Sequence, residues 1–268
     1  MKIGIVSLGL IGGSLFKCLA RTNHEIYAVT TNKETFEKAK KYSPFVSAEL
    51  SSLKDCEIVF VASPINKTVE MLDALENVVN KNCIVLDCAS VKEFVMKKER
   101  PYKFIGSHPM AGTQFSGFDA AFKELFDGAK WVLTPLNAEK EDIDKVEKII
   151  KSTGAEIIIT NAKEHDHAVA LISHMPLLLA QALFNSAKDN KLALKLASSG
   201  FRDMTRLATS NLEMAEDMKN YNGENIELAL DLLASSLNEL KNTKDSKIFT
   251  DIKSMRSSMY SSEGKNIF

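Results

Sequence analysis

The stretch KIGIVSLGLIGGS, residues 2–14, decides the fold. Its apolar run, Ile3 to Val6, is typical of a buried strand, and glycines follow at positions 9, 12 and 13. A strand that passes through closely spaced glycines into a helix is typical of the phosphate-binding turn of a dinucleotide-binding βαβ unit. The usual pattern is GxGxxG, and here Ser7 replaces the first glycine. Ser7 therefore either weakens the turn or adopts its conformation.

Each position of this turn has an expected task. Gly9 lets the backbone approach a pyrophosphate, and Gly12 lets the helix pack closely on the strand. The free N–H groups at the helix N-terminus, around Leu10 and Ile11, are suited to an anion. Any strand-to-helix junction tolerates glycines, but this one opens a βαβ unit at the start of the chain. Dinucleotide binding is therefore the favoured interpretation.

The pattern outside this turn predicts an α/β fold of the doubly wound, Rossmann type with a mainly parallel sheet. Continuous apolar runs suit parallel strands that helices cover on both faces. Helices are predicted after Gly12, from Lys33 and from Asn66. The predicted strands are KIGIV, EIYAV, EIVFVAS and CIVLDC, followed by 103–106, 131–134 and 156–160.

After Asn161 the apolar residues recur at helical spacing, over 164–188 and 190–242, with breaks expected at Gly200 and at Asn222-Gly223. We therefore predict a dinucleotide-binding domain at 1–161 and an all-helical substrate and dimerisation domain at 162–268. The helical half could form its own bundle, but intertwining with a second copy is favoured. The tail, 246–268, is either a last helix or partly disordered.

The composition limits the partners and the location. The 268 residues include 34 basic and 35 acidic side chains, so no overall charge favours nucleic acid or an anionic membrane. The four cysteines form no CxxC pair, and no metal site is expected. The first apolar run is too short for a secretion signal or a membrane span, so we expect a cytoplasmic protein.

The choice of nucleotide stays open on the sequence alone. In NAD-binding proteins an acidic residue follows the second strand, about twenty residues after the fingerprint. Here that place holds Val29-Thr30-Thr31-Asn32-Lys33, where hydroxyls and a lysine could receive a 2′-phosphate. We expect NAD, with NADP as the alternative, and Thr30 as a contact. Ser63-Pro64 ends the next strand and either faces the nucleotide or simply ends the strand.

Two polar segments follow later strands, DCASVK at 87–92 and GSHPMAGT at 106–113. His108 is suited to act as a base, because the unperturbed pKa of histidine lies near neutrality.

The chain resembles the prephenate/arogenate dehydrogenase family over roughly residues 3–220, through GLIGGS at 9–14, DCASVK at 87–92, SHPMAG at 107–112, ISHMP at 172–176 and GFRDMTR at 200–206. The resemblance implies NAD(P)-dependent oxidative decarboxylation, in tyrosine biosynthesis, of prephenate to 4-hydroxyphenylpyruvate or of arogenate to tyrosine. His108 would accept the proton of the ring hydroxyl while hydride leaves C4. Ser90 would orient His108 and touch the nicotinamide, although a helix N-cap is comparably plausible.

The resemblance also assigns substrate contacts. Arg206 would bind the ring carboxylate, since a guanidinium presents a planar, charged fork. Arg202 would assist it or pair with Asp203 or Glu213. Ser173 and His174 would line the floor of the substrate pocket. His165 and His167 are interpreted as contacts at a helix start and between domains, not as metal ligands.

Three positions depart from the family pattern. Leu177 replaces a histidine that contacts the substrate side chain, Gln114 replaces a glutamate near the pocket mouth, and Ala215 replaces a tryptophan. Gln114 would still contribute a hydrogen bond. These changes leave open whether prephenate or arogenate is preferred, and tyrosine feedback is undecided too. We expect neither a chorismate mutase segment before the fingerprint nor a regulatory domain of the ACT type after the helical half.

Two rival interpretations stand beside this one. The first is another Rossmann dehydrogenase, acting on hydroxy acids or imines, which would need a catalytic lysine; Lys163 lacks a supporting motif. The second is a nucleotide-binding protein without chemistry, which does not explain why His108, Ser90 and Arg206 occur together.

Overall fold

The structure is a computed structural model that describes residues 1–210 and 212–260, without the side chains of residues 213 and 214. By their internal contacts the residues form two compact units, Met1–Ile226 and Glu227–Phe268. The first unit contains the whole sheet and every site residue discussed below. Among the described residues, the second contains most of the helix Gly223–Asn242 and the tail as far as Tyr260.

Eight strands form one sheet in the order β3-β2-β1-β4-β5-β6-β7-β8. All neighbouring pairs are parallel except β6 and β7. The chain builds outward from β1 to β3 and then places β4 on the other side of β1, so the reversal lies between β1 and β4. The strands are β1 (Lys2–Val6), β2 (Glu25–Val29), β3 (Val46–Ser47), β4 (Ile58–Val61), β5 (Ile84–Asp87), β6 (Lys103–Pro109), β7 (Lys130–Pro135) and β8 (Glu156–Ile159).

The core lies on both faces of this sheet, which is why its central strands are apolar without alternation. Along β4, Phe60 belongs to one buried cluster and Val59 to the other. Every residue of β4 is buried. The prediction of a doubly wound, mainly parallel sheet is confirmed, and every predicted strand is present. The two-residue β3 was not predicted, because so short an element has no pattern of its own.

The helices of the sheet region begin close to the predicted places, except that the first starts before Gly12, at Leu10. They are α1 (Leu10–Leu19), α2 (Lys33–Ala39), α3 (Ile65–Leu75) and α4 (Lys140–Lys151).

Every element of the second half that the structure describes is a helix or a helical turn, as predicted. The predicted break at Asn222 is confirmed, since one helix ends at Tyr221 and the next begins at Gly223. The break predicted at Gly200 falls slightly earlier: one helix ends at Leu196 and the next begins at Ser199, so Gly200 itself lies in the first turn of a helix. The helices are α5 (Ala162–Val169), α6 (Met175–Ala187), α7 (Lys191–Leu196), α8 (Ser199–Thr205), α9 (Leu212–Tyr221), α10 (Gly223–Asn242) and α11 (Lys247–Met259).

The change from strands to helices falls between β8 and α5, close to the predicted domain boundary, and the division at 161/162 stays a prediction. The tail forms α11, while its last residues, 261–268, lie outside the described part of the chain.

A π-helical turn, Ala170–His174, joins α5 to α6. It replaces the uninterrupted helix that the sequence predicts over 164–188. Met175 donates its N–H to the Ala170 carbonyl, five residues back, just before Pro176, which has no N–H to give. π turns inside helices are often found at functional sites. By length and composition the stretch Ala162–Ala187 could span a membrane, a property that core helices of soluble proteins share.

Candidate active site

The first part of the site is the turn between β1 and α1. Ser7 has a φ of 69°, the left-handed conformation that favours glycine. Its N–H donates to the Val29 carbonyl at 3.0 Å, which fixes the turn against β2. Ser7 therefore adopts the turn that the missing glycine would have made, at a conformational cost of roughly 1–2 kcal/mol.

The same turn leaves no room for a side chain at Gly12. A Cβ there would lie 2.0 Å from the Ser7 carbonyl oxygen, whereas a Cβ at Gly9 would meet nothing within 4 Å. The α1 N-terminus therefore packs tightly on the strand while the backbone at Gly9 stays open. The first turn of α1, which includes Leu10 and Ile11, carries no acidic residue to repel an anion. These features fit a nucleotide diphosphate.

The other predicted nucleotide contacts lie at the same edge of the sheet, at the carboxyl ends of β2 and β4. Thr30 is buried after β2. Ser63 is buried after β4, where its hydroxyl lies 3.2 Å from the Thr68 hydroxyl. Pro64 is the exposed N-cap residue of α3. Asn32 caps α2 by accepting from the Thr35 N–H at 2.9 Å, so this position stabilises the helix.

The second part of the site is a chain of hydrogen bonds that begins at His108, next to the last residue of β6. Its Nδ1 lies 2.9 Å from Nε2 of His165 on α5. His165 Nδ1 in turn lies 2.7 Å from Oδ1 of Asp166. Burial, together with the nearby His165, Lys92 and His174, holds the pKa of His108 well below its ordinary value. At neutral pH, His108 is thus an uncharged imidazole that can accept a proton.

Asp166 connects this chain to the polar segment that follows β5. Its two carboxylate oxygens accept the backbone N–H groups of Lys92 at 2.7 Å and Glu93 at 2.8 Å. Asn222 donates to the Asp166 carbonyl at 2.8 Å from the junction of α9 and α10. The carboxylate is therefore fixed on several sides. Sequence reasoning missed His165 and Asp166 as members of the site, although it did predict that His165 makes an interdomain contact.

A buried ion pair stabilises the end of β6, the strand that carries His108. Lys92 and Asp87 are fully buried and in direct contact. Lys92 Nζ also donates to the Ser107 carbonyl at 2.6 Å, while Asp87 accepts the Ser107 N–H at 3.1 Å and the Ala89 N–H at 2.9 Å. The pair thus joins the ends of β5 and β6 directly beside His108. Its signal in the sequence was the DCASVK motif, an acid and a base that flank a polar turn after a strand.

Ser90 lies in the bend of this loop and is half-buried. Within residues 1–210 and 212–260 it makes no hydrogen bond to His108; the partner of His108 Nδ1 is His165. The role predicted for Ser90 stays a prediction.

His174, at the end of the π turn, is 1% exposed. Asn222 Nδ2, a donor, lies 3.2 Å from its Nδ1, so Nε2 carries the hydrogen. That Nε2 is buried and has no partner among the described residues. Burial lowers the pKa of His174 to about 4, so the ring is neutral. A buried donor without an acceptor is uncommon in folded proteins. Ser173 is half-buried beside it.

The remaining predicted substrate contacts lie at the surface. Arg206 is exposed at the start of a 3₁₀ turn, Arg206–Thr209, which packs against α6. Arg202 is exposed and pairs with Asp203 at 3.1 Å, which was one of its two predicted roles. Gln114 is exposed in the loop after β6. The structure brings His108, His165, Asp166 and His174 together. Within its described part, Arg206, Arg202 and Gln114 make no contact with His108.

Within residues 1–210 and 212–260, no group of three or more His, Cys, Asp or Glu side chains could hold a metal ion.

Comparison with known proteins identifies two family models on this chain. Residues 17–159 match the nucleotide-binding domain of prephenate dehydrogenase, and residues 161–253 match its dimerization domain. Among curated relatives, prephenate dehydrogenases of Lactococcus lactis and Bacillus subtilis are 32% and 30% identical over 78% and 83% of this chain. The chain spans only 62% and 64% of the length of these two relatives.

Two solved structures share the whole architecture. The arogenate dehydrogenase of Synechocystis is 33% identical, with a TM-score of 0.83 and 97% of each chain covered. The prephenate dehydrogenase of A. aeolicus, solved with hydroxyphenyl propionate and NAD+, is 26% identical, with a TM-score of 0.86 and 96% and 98% of the two chains covered. The two family models match residues 17–159 and 161–253, which is more than half of the chain, and the chain therefore belongs to the prephenate dehydrogenase family.

Proposed function

We propose that this protein is an NAD-dependent prephenate dehydrogenase, which converts prephenate to 4-hydroxyphenylpyruvate and carbon dioxide. The observation that carries the proposal is His108, an uncharged histidine held between the nucleotide-binding edge of the sheet and the helical segment. The turn at Ser7, Gly9 and Gly12 fits a nucleotide diphosphate, and NAD bound there supplies a hydride acceptor.

In the proposed reaction, His108 Nε2 accepts the proton of the ring hydroxyl as hydride leaves C4. The ketone that forms at C4 draws the electrons of the ring carboxylate bond, so carbon dioxide leaves and the ring becomes aromatic. The His174 Nε2–H, which has no partner among the described residues, donates a hydrogen bond to the substrate. Ser173, Gln114 and Arg202 complete the proposed pocket.

Arg206 is the proposed partner of the ring carboxylate. Its exposed guanidinium follows α8, and the turn that it begins packs against α6, which starts directly after His174. A guanidinium holds a carboxylate through two parallel hydrogen bonds and stays charged at all physiological pH values.

A homodimer in the cytoplasm is part of the same proposal. The match of residues 161–253 to a dimerization domain supports the dimer. So do the large apolar side chains that the helical half exposes, among them Leu192, Leu196, Leu228, Leu232 and Phe249.

Arogenate dehydrogenase is the second proposed function. It is favoured by the 33% identity and the 97% coverage of both chains in the comparison with the Synechocystis arogenate dehydrogenase.

One experiment tests both functions. The purified protein is incubated with prephenate or arogenate, each with NAD or NADP, while the absorbance of the reduced nucleotide and the released carbon dioxide are followed. We expect the highest kcat/KM with prephenate and NAD and one carbon dioxide per hydride transferred. A faster reaction with arogenate would favour the second function, and no turnover in all four mixtures would refute both.

A further inference from the structure

In the hydrogen-bond chain from His108 through His165 to Asp166, the carboxylate of Asp166 decides which atom donates at each step. Both carboxylate oxygens of Asp166 accept backbone N–H groups, and Oδ1 also takes the hydrogen of His165 Nδ1. With that hydrogen on Nδ1, His165 presents the lone pair of Nε2, which takes the hydrogen of His108 Nδ1. The arrangement leaves the lone pair of His108 on Nε2, the nitrogen that a base must present.

We infer that His165 and Asp166 are positioning residues that fix His108 in the Nδ1–H form and stabilise the imidazolium that forms when Nε2 accepts the substrate proton. This inference rests on the proposed function for its kinetic part only. Neither residue needs to touch the substrate, since both act through Nδ1 of His108.

Within residues 1–210 and 212–260, His165 is the residue that links Asp166 to His108 by hydrogen bonds. The charged and titratable groups near His108 are Lys92, from the loop after β5, His165, from α5, and His174, from the π turn. The Lys92 ammonium is in contact with Asp87, and His174 is held by Asn222. His165 is itself fully buried, so water does not compete for its two nitrogens.

Asp166 also has a structural task, because it accepts the N–H groups of Lys92 and Glu93. A loss of activity on its removal would therefore not separate positioning from folding. Two substitutions of His165 make that separation. In His165→Gln the side-chain amide reaches the place of Nε2 and keeps an acceptor for His108, but it loses Asp166. In His165→Asn the amide stays at the place of Nδ1, keeps Asp166 and leaves His108 Nδ1 without an acceptor.

Which of the two variants is less active depends on whether His165 positions the base or only anchors Asp166. If His165 positions the base, kcat with prephenate falls about 10²-fold or more in His165→Asn and less in His165→Gln, while KM changes little. If His165 only anchors Asp166, His165→Gln is the more impaired variant. His167→Asn is the matched control, because His167 is exposed on the same helix and should keep full activity. Equal or greater activity of His165→Asn relative to His165→Gln would overturn the inference.

A second measurement does not depend on the substrate. In protein labelled with ¹⁵N-histidine, the spectrum should show His108, assigned with His108→Gln, as the Nδ1–H form, and this preference should weaken in His165→Asn. An Nε2–H form in the unaltered protein would overturn the inference even if prephenate is turned over. An Nδ1–H form without any turnover would refute the proposed function and leave the hydrogen-bond chain established.

Discussion

Replacing Lys92 by methionine removes the buried ammonium that pairs with Asp87 and leaves the Asp87 carboxylate without a cation. Removing one partner of a buried ion pair costs about 3–5 kcal/mol, because the remaining charge is not hydrated. The Ser107 carbonyl also loses its donor. Two backbone N–H groups still reach the carboxylate, so we expect a loss near the lower end, about 3 kcal/mol.

The stability loss of Lys92→Met is checked with a second substitution, which removes the unpaired charge of Asp87. In Lys92→Met with Asp87→Asn, the amide oxygen still accepts one of the two N–H groups, and the other is left unpaired at about 1–3 kcal/mol. The double variant should therefore be more stable than Lys92→Met alone. Lys67→Met is the control, because its pair with Glu70 is 63% exposed on both sides and exposed pairs contribute about 0–1 kcal/mol.

The assay is urea unfolding followed by tryptophan fluorescence. Trp131 is the only tryptophan, it is fully buried, and its indole N–H donates to the Ser107 hydroxyl at 3.2 Å. It therefore reports on the strand that the ion pair supports. If the double variant loses as much stability as the two single variants added together, the ion pair is not coupled and the reasoning fails.

Four further outcomes are expected at the nucleotide and substrate sites. His108→Asn should lower kcat with prephenate by about 10²–10⁴-fold with NAD affinity unchanged; undiminished turnover would remove His108 from the role of base. Because the pKa of His108 lies well below the ordinary 6.5, its neutral form persists as the pH falls, and kcat/KM should stay level through pH 6.5 and decline only at lower pH; a midpoint at or above that value would contradict the assignment. Gly12→Ala places a Cβ 2.0 Å from the Ser7 carbonyl, so NAD affinity and stability should both fall, the latter by about 1–3 kcal/mol, whereas wild-type binding in calorimetry would show that the turn can move. Arg206→Ala should raise the KM for prephenate more than it lowers kcat, and equal KM values would place Arg206 outside the pocket.

The sheet was predictable because burial on both faces imposes a pattern on each strand separately. The run Ile58–Val61 is apolar at every position, and this alone marks a strand covered on both sides. The antiparallel pairing of β6 with β7 was not predictable in the same way, since pairing direction depends on contacts between strands.

The turn at Ser7 shows where a sequence pattern leaves a choice undecided. A serine at the first position of the glycine fingerprint could weaken the turn or adopt it. In the folded protein Ser7 adopts the turn, with a φ of 69°. The conformation is maintained by the bond to Val29 and by the close packing at Gly12, which no inspection of Ser7 itself would show.

The proposed base was predictable from its motif, but its partners were not. His108 and His165 are separated by 57 residues, and nothing in the sequence pairs two histidines at such a distance. The π turn is another example, because the apolar pattern over 164–188 describes a continuous helix. Its shape depends on Pro176 and on the buried bond between His174 and Asn222.

The distribution of these groups has a consequence for how the site is assembled. The sheet holds His108 in place through β6 and the ion pair beneath it, but the partner that the inferred chain needs, His165, belongs to α5. The sheet region therefore contains the nucleotide-binding turn and His108, but not the residue inferred to fix the form of the base. Asp166 on α5 accepts two backbone N–H groups of the loop after β5, the same loop that the ion pair anchors. These two bonds hold α5, and with it His165, beside His108. A substitution that breaks these bonds between α5 and the loop should therefore abolish turnover while nucleotide binding is kept.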